Sequence, residues 1–117
     1  MNIRDGILIV RGEETETNLG FCNHGAGRLM SRTEYTKQAL ANKTGHELFL
    51  EETAGLDIRF FTGKMDISEL PGAYKSAEII QKQMKQFDLG EIIDIIEPYG
   101  CIMCGYDKYD WKNKRKS

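Results

Sequence analysis

The chain has 117 residues, 40% of them apolar and 29% charged, with a formal net charge of −2. That is enough for one packed domain and too little surplus charge of either sign to draw nucleic acid without a local basic patch. No apolar run reaches the length of a membrane span, and Met1-Asn2-Ile3-Arg4-Asp5 lacks the apolar core of a signal peptide, so the expectation is a cytoplasmic protein with no membrane partner. Three cysteines, an odd number, fit a reducing compartment better than a disulfide framework.

In chain order, Gly6-Ile7-Leu8-Ile9-Val10 reads as a strand buried on both faces, because its apolar residues are continuous rather than alternating. The acidic stretch from Glu13 to Gly20 reads as a surface loop into a second short strand over Leu19 to Cys22. Ser31-Arg32-Thr33-Glu34 has the form of a capping box, and predicts a half-exposed helix from Arg32 to about Asn42. Leu48-Phe49-Leu50 fits either a strand or a short helix, and Ile58 to Thr62 reads as a strand ended by Gly63.

Leu70 to Ser76 reads as a turn leading into a helix from about Ser76 to Phe87. There Ile79, Ile80, Gln83, Met84 and Phe87 share one face. Ile92 to Ile96 predicts a strand continuing past Pro98 toward Ile102. Mixed strands and helices without a repeat or linker give an α/β class, with α+β as the variant: a mixed sheet and two or three helices in one unit over residues 1–105, followed by a basic tail over 106–117.

Chemistry concentrates in Phe21 to Arg32. His24 stands directly before Gly25-Ala26-Gly27, and Arg28 and Arg32 follow four residues apart at the predicted helix start. Backbone N–H groups in a glycine-containing turn approach phosphate closely, the positive end of the helix favours the same anion, and the two guanidinium groups match phosphate oxygens. His24 would then lie beside phosphorus as a nucleophile. The plainer reading is a tight turn whose histidine hydrogen-bonds nearby backbone; the two arginines favour the phosphate site.

Three other features carry less. Cys101 and Cys104 form a single C-x-x-C, which with Cys22 and His24 would make a Cys3His zinc set, but one pair without a second defaults to two buried, reduced thiols. His46 stands alone between glycines and reads as solvated. Tyr106, Tyr109 and Trp111 interleave with Lys108, Lys112, Lys114, Arg115 and Lys116, a pattern that could stack bases, although a short charged terminus is more often solvated.

The order of Arg4-Asp5-Gly6-Ile7-Leu8-Ile9-Val10-Arg11-Gly12, then His24-Gly25-Ala26-Gly27-Arg28-Leu29-Met30-Ser31-Arg32, then Pro71-Gly72-Ala73-Tyr74-Lys75 resembles the C-terminal part of the RtcB family of RNA-splicing ligases, from about Arg4 to Gly105. The resemblance implies ligation of an RNA 3′-phosphate (or 2′,3′-cyclic phosphate) to a 5′-hydroxyl end with GTP and manganese. His24 matches the histidine that becomes guanylylated. Gly25, Ala26 and Gly27 match the turn that contacts the guanylate, and Tyr74 matches a tyrosine near the nucleotide. Arg28 and Arg32 match positions suited to RNA phosphate or the guanylate itself.

The family's manganese ligands, an aspartate, a cysteine and three histidines, belong to its upstream part, so no metal ligand is assigned here. The family's terminal lysine before glycine is replaced by Met103 or Cys104 before Gly105, with Lys108 as the candidate substitute. The implied partners are RNA ends, a guanine nucleotide, and an upstream RtcB-like polypeptide or a second copy of this chain covering exposed sheet surface. A non-catalytic module that binds a nucleotide or an RNA end, and an inactive remnant, are the alternatives.

Overall fold

The computed structural model describes residues 1–105, and the basic tail lies outside the described residues. Strand β1 (Ile7–Arg11) pairs antiparallel with β3 (Glu91–Ile96), in the register Ile7 with Ile96, Leu8 with Ile95 and Val10 with Ile92. The register slips between Ile9 and Val10, leaving Ile93 as the extra residue of a bulge. β2 (Asp57–Phe60) pairs parallel with β4 (Gly100–Met103). Helices α1 (Arg32–Ala39), α2 (Gly45–Glu52) and α3 (Ala77–Gln86) complete an α+β architecture. The strands form two separate two-stranded sheets rather than one.

β1 is not buried on both faces. Its one strand partner among the described residues is β3, and alternate residues go to opposite faces of the ribbon: Leu8 and Val10 are half-buried, whereas Ile7 and Ile9 are 62% and 39% exposed. At the ribbon's end Gly6 has φ +87°, and a Cβ there would meet the Ile96 carbonyl oxygen at 2.6 Å, so only glycine closes this corner.

The expected strand over Leu19 to Cys22 is a turn. Leu19 and Gly20 take positive φ values of 52° and 77°, outside the extended region. Asn18 organises this loop: its buried side chain donates to Glu13 O at 2.6 Å and Asp88 O at 3.1 Å, and accepts from the backbone N–H of Gly20 at 2.7 Å.

The expected strand from Ile92 through Ile102 divides around residues 97–99. Proline has no N–H for a ladder. The residues before Pro98 pair with β1, and those after it pair with β2.

Ser31 caps α1 by accepting from the backbone N–H of Glu34 at 3.1 Å, while the Glu34 carboxylate takes Gln38 Nε2 at 2.7 Å, so the expected box forms only its serine half. The complete box is at α2. Thr44 Oγ1 accepts from the Glu47 N–H at 3.2 Å, and Glu47 Oε2 accepts from the Thr44 N–H at 2.8 Å, which places Leu48-Phe49-Leu50 in a helix. The Thr44 N–H, and next the Thr44 hydroxyl, which donates to Glu47 Oε2 at 3.0 Å, hold the Glu47 carboxyl below its ordinary range. Thr44→Ala is expected to cost about 1 kcal/mol, read as a lower urea midpoint at unchanged slope.

The core sits among α1, α2, β2 and β4. Ile3, Leu48, Ile58 and Leu70 form its centre, and Phe49 meets Phe60 with ring centroids 6.0 Å apart. Met84 of α3 is buried separately. Leu70 joins two short 3-10 turns, Ile67–Glu69 and Pro71–Ala73. The core thereby reaches the segment that carries Tyr74.

Candidate functional site

The turn around His24 is held by a second, distant segment. The Leu29 N–H donates to Ala73 O at 3.0 Å, the Lys75 N–H donates to Gly27 O at 3.0 Å, and Arg28 and Tyr74 form an antiparallel bridge. Gly27 has φ +76°, a conformation that favours glycine and turns the chain between these bonds. Ala26 is buried at 6% exposure, whereas His24, Gly25 and Gly27 are exposed. Within the turn Asn23 Nδ2 donates to Gly25 O at 3.3 Å.

His24 and Gly25 open on a cleft of about 310 Å³ whose walls include Leu8 and Val10 of β1 and Ile80 and Met84 of α3. Tyr74 lines a neighbouring cleft of similar volume with Glu69, and Met1 and Ile7 line both. The fold therefore brings His24, Gly25, Ala26, Gly27, Arg28 and Tyr74 into one neighbourhood. It adds Lys75, whose Nζ would lie 3.9 Å from a Cβ placed on Gly27.

The two arginines differ. Arg28 turns inward: Nη1 donates to Ser68 O at 2.7 Å, Nε donates to Met30 O at 3.3 Å, and the guanidinium carbon lies 5.2 Å from the centre of the Tyr74 ring, within cation–π range. Its Nη2 is buried and, among the described residues, without a partner. Arg32 stays at the surface with its side chain 57% exposed; Nη1 donates to Ser68 Oγ at 3.0 Å and pairs with Glu69.

Several residues that set this geometry carried no signal in the sequence. Glu69 accepts the Tyr74 hydroxyl at 2.6 Å, and Asp66 accepts the Ser68 hydroxyl at 2.6 Å. Glu52 accepts from the Gly72 N–H at 2.8 Å and from the Tyr35 hydroxyl at 3.3 Å, tying α1 and α2 to the Tyr74 segment. The partners of Glu52 lie 17 and 20 residues away in sequence, beyond any local pattern.

Burial, and next the Glu52 carboxylate, push the Tyr35 hydroxyl up to about 12 from its ordinary 10. On unfolding Tyr35 regains the lower value, so above pH 10 the unfolded state loses this proton first. Stability from this group is whole below pH 10 and lost from there toward pH 12. Tyr35→Phe is expected to flatten that loss in denaturation curves taken between pH 9 and pH 11.

Cys101 is half-buried on β4 with Sγ 3.4 Å from Met103 Sδ, but Cys104 lies past the strand's end and is exposed, so the expected pair of buried thiols is a single half-buried one. Cys22 and His24 share a cleft that neither Cys101 nor Cys104 lines. Among the described residues no group of three His, Cys, Asp or Glu side chains could hold a metal ion. His46 is exposed in the first turn of α2. Also among the described residues, no helix is long and apolar enough to cross a membrane.

Another groove, about 710 Å³, runs between α3 and the start of β3. Glu78 and Lys82, an ion pair, line it, and none of the motif residues does.

Comparison with known proteins matches residues 3–104 to a family described as tRNA-splicing ligase RtcB. The RNA-splicing ligase RtcB of Escherichia coli K12 is 33% identical over 95 residues, which cover 81% of this chain and 21% of that protein. The tRNA-splicing ligase RtcB of Thermococcus kodakarensis is 30% identical over 89 residues, covering 76% of this chain and 18% of the relative. That of Pyrococcus furiosus is 29% identical over 89 residues, covering 76% and 9%. The matched segment is thus a small part of each relative's length. No solved structure matches the chain.

Proposed function

This chain belongs to the RtcB family of RNA-splicing ligases, and from that membership we propose that it forms the C-terminal part of such a ligase and carries its guanylate-accepting histidine. The observation that carries the reading is the pair of backbone hydrogen bonds from Leu29 to Ala73 and from Lys75 to Gly27, because they join the His24 turn to the Tyr74 segment.

In this reading GTP is a substrate. An imidazole nitrogen of His24 attacks the α-phosphorus, the bond to the β-phosphate oxygen breaks, and pyrophosphate leaves. An oxygen of an RNA 3′-phosphate then takes the guanylate and frees His24. The 5′-hydroxyl finally attacks the activated 3′-phosphorus, loses its proton and releases GMP, leaving a 3′,5′-phosphodiester. Gly25, Ala26 and Gly27 present backbone without bulky side chains to the guanylate, and Tyr74 contacts the nucleotide. Arg32 meets RNA phosphate from the surface, and Arg28 contributes positive charge from the interior, where its guanidinium lies 5.2 Å from the centre of the Tyr74 ring.

The described residues do not fit the manganese that the family's chemistry implies, since they supply no three-ligand group. Its ligands then belong to the remainder of the ligase, carried by this protein or by an upstream RtcB-like polypeptide. That remainder would also cover apolar surface such as Ile7 and Ile96, 62% and 50% exposed here.

Intact-mass measurement of the chain with GTP and manganese, alone and with the upstream part of a family ligase, tests the reading. A GMP adduct in either mixture is expected, and none in both would contradict it. GMP or RNA-end binding without an adduct would instead favour a non-catalytic binding module.

A further inference from the structure

We infer that Glu69 is a positioning residue shared by the two sides of the site, fixing Tyr74 on the nucleotide side and restraining Arg32 on the phosphate side; the inference rests on the reading of Tyr74 and Arg32 given above. One carboxylate serves both residues. Oε2 accepts the Tyr74 hydroxyl at 2.6 Å, and Oε1 pairs with Nη1 of Arg32.

The two partners are placed differently. Tyr74 has its hydroxyl held by Glu69 and its ring approached by the Arg28 guanidinium. Arg32 is anchored at Nη1 only, and among the described hydrogen bonds its Nη2 and Nε have no partner. Its side chain is 57% exposed, against 15% for Glu69. The guanidinium thus offers the edge suited to a bidentate phosphate contact while an adjacent negative charge disfavours the arriving anion.

A phosphate on Arg32 shares or displaces the Glu69 pair, and Glu69 keeps the Tyr74 hydroxyl in either case. The carboxylate therefore lowers anion affinity at Arg32 and fixes the tyrosine, so the two functions separate by substitution. Glu69→Gln removes the charge but retains a carbonyl oxygen for Tyr74. Glu69→Ala removes both.

The test titrates the full chain with inorganic phosphate and, separately, with GMP, following the Arg32 side-chain N–H signals and the Tyr74 ring signals by NMR. Glu69→Gln is expected to raise phosphate affinity at Arg32 by about five-fold, the size of a partly exposed ion pair, and to leave GMP affinity within about two-fold. Glu69→Ala is expected to raise phosphate affinity similarly and to weaken GMP several-fold. An Arg32 response to phosphate that is absent or unchanged in Glu69→Gln overturns the inference, and so does a loss of GMP affinity as large in Glu69→Gln as in Glu69→Ala. A wild-type chain that takes up no GMP removes the nucleotide reading itself, and the phosphate titration alone then decides whether Glu69 restrains Arg32.

Discussion

His24→Ala, incubated with GTP, manganese and the upstream part of a family ligase, is expected to yield no guanylate adduct under conditions that modify the unsubstituted chain. The physical reason is specific to the side chain. Among the residues lining its cleft, His24 is the one imidazole, and the backbone that forms the turn owes its shape to Gly27 and to the bonds with Ala73 and Lys75 rather than to the histidine. His24 is exposed, so its truncation opens no core cavity. The variant should keep the fold and retain GMP affinity within about three-fold, while covalent transfer falls below detection. An adduct persisting in His24→Ala would move the nucleophile to another residue.

Leu70→Ala should be the most damaging single change to the fold, at about 2–5 kcal/mol. Leu70 has no exposed surface and packs with Ile3, Leu48 and Ile58. It also closes both 3-10 turns: its N–H donates to Ile67 O at 3.1 Å, and its carbonyl accepts from the Ala73 N–H at 3.0 Å. For a domain of this size total stability is only about 0.05–0.15 kcal/mol per residue, so the cavity consumes a large share of it. Because the same residue supports Glu69 on one side and Pro71 to Tyr74 on the other, GMP binding should weaken along with stability. Urea denaturation checks the first effect against Leu29→Ala, whose side chain belongs to a 58% exposed residue and should change stability by less than about 0.5 kcal/mol. Equal losses in the two variants would contradict the assignment of the core.

Legibility followed the range of the interaction. The cap of α1 by Ser31, the helix beginning near Ser76 and the strand begun at Ile7 follow from residues within a few positions of each other, and local sequence predicts them. The capping box of Thr44 and Glu47 is equally local and was available to settle Leu48-Phe49-Leu50 as helix. Strand pairing was not legible, because Ile92 to Ile102 reads as one strand while its two halves pair with two different and distant strands, β1 and β2. Nor did Leu19 to Cys22 reveal its turn, since the side chain that organises it, Asn18, bonds to Asp88 seventy residues away.

The site divides in the same manner. His24 with Gly25 and Gly27 announces a turn with a reactive group from residue types alone. The association of Tyr74 with that turn came from family resemblance, since no spacing rule links residues so far apart. Arg28 and Arg32 looked equivalent in sequence, yet Ser68 draws the first inward while Glu69 holds the second at the surface. That difference rests on contacts 40 and 37 residues distant, which only the fold creates.

Guanylate binding requires the His24 turn and the Tyr74 segment to act as one site, if the proposed function holds. A GMP titration of the full chain, followed residue by residue through its backbone amide signals, tests it most directly. Gly25, Ala26, Gly27 and Arg28 are expected to shift together with Ala73, Tyr74 and Lys75 and to saturate at a single dissociation constant. Shifts confined to the α3 and β3 groove, or two segments that titrate independently, would contradict it.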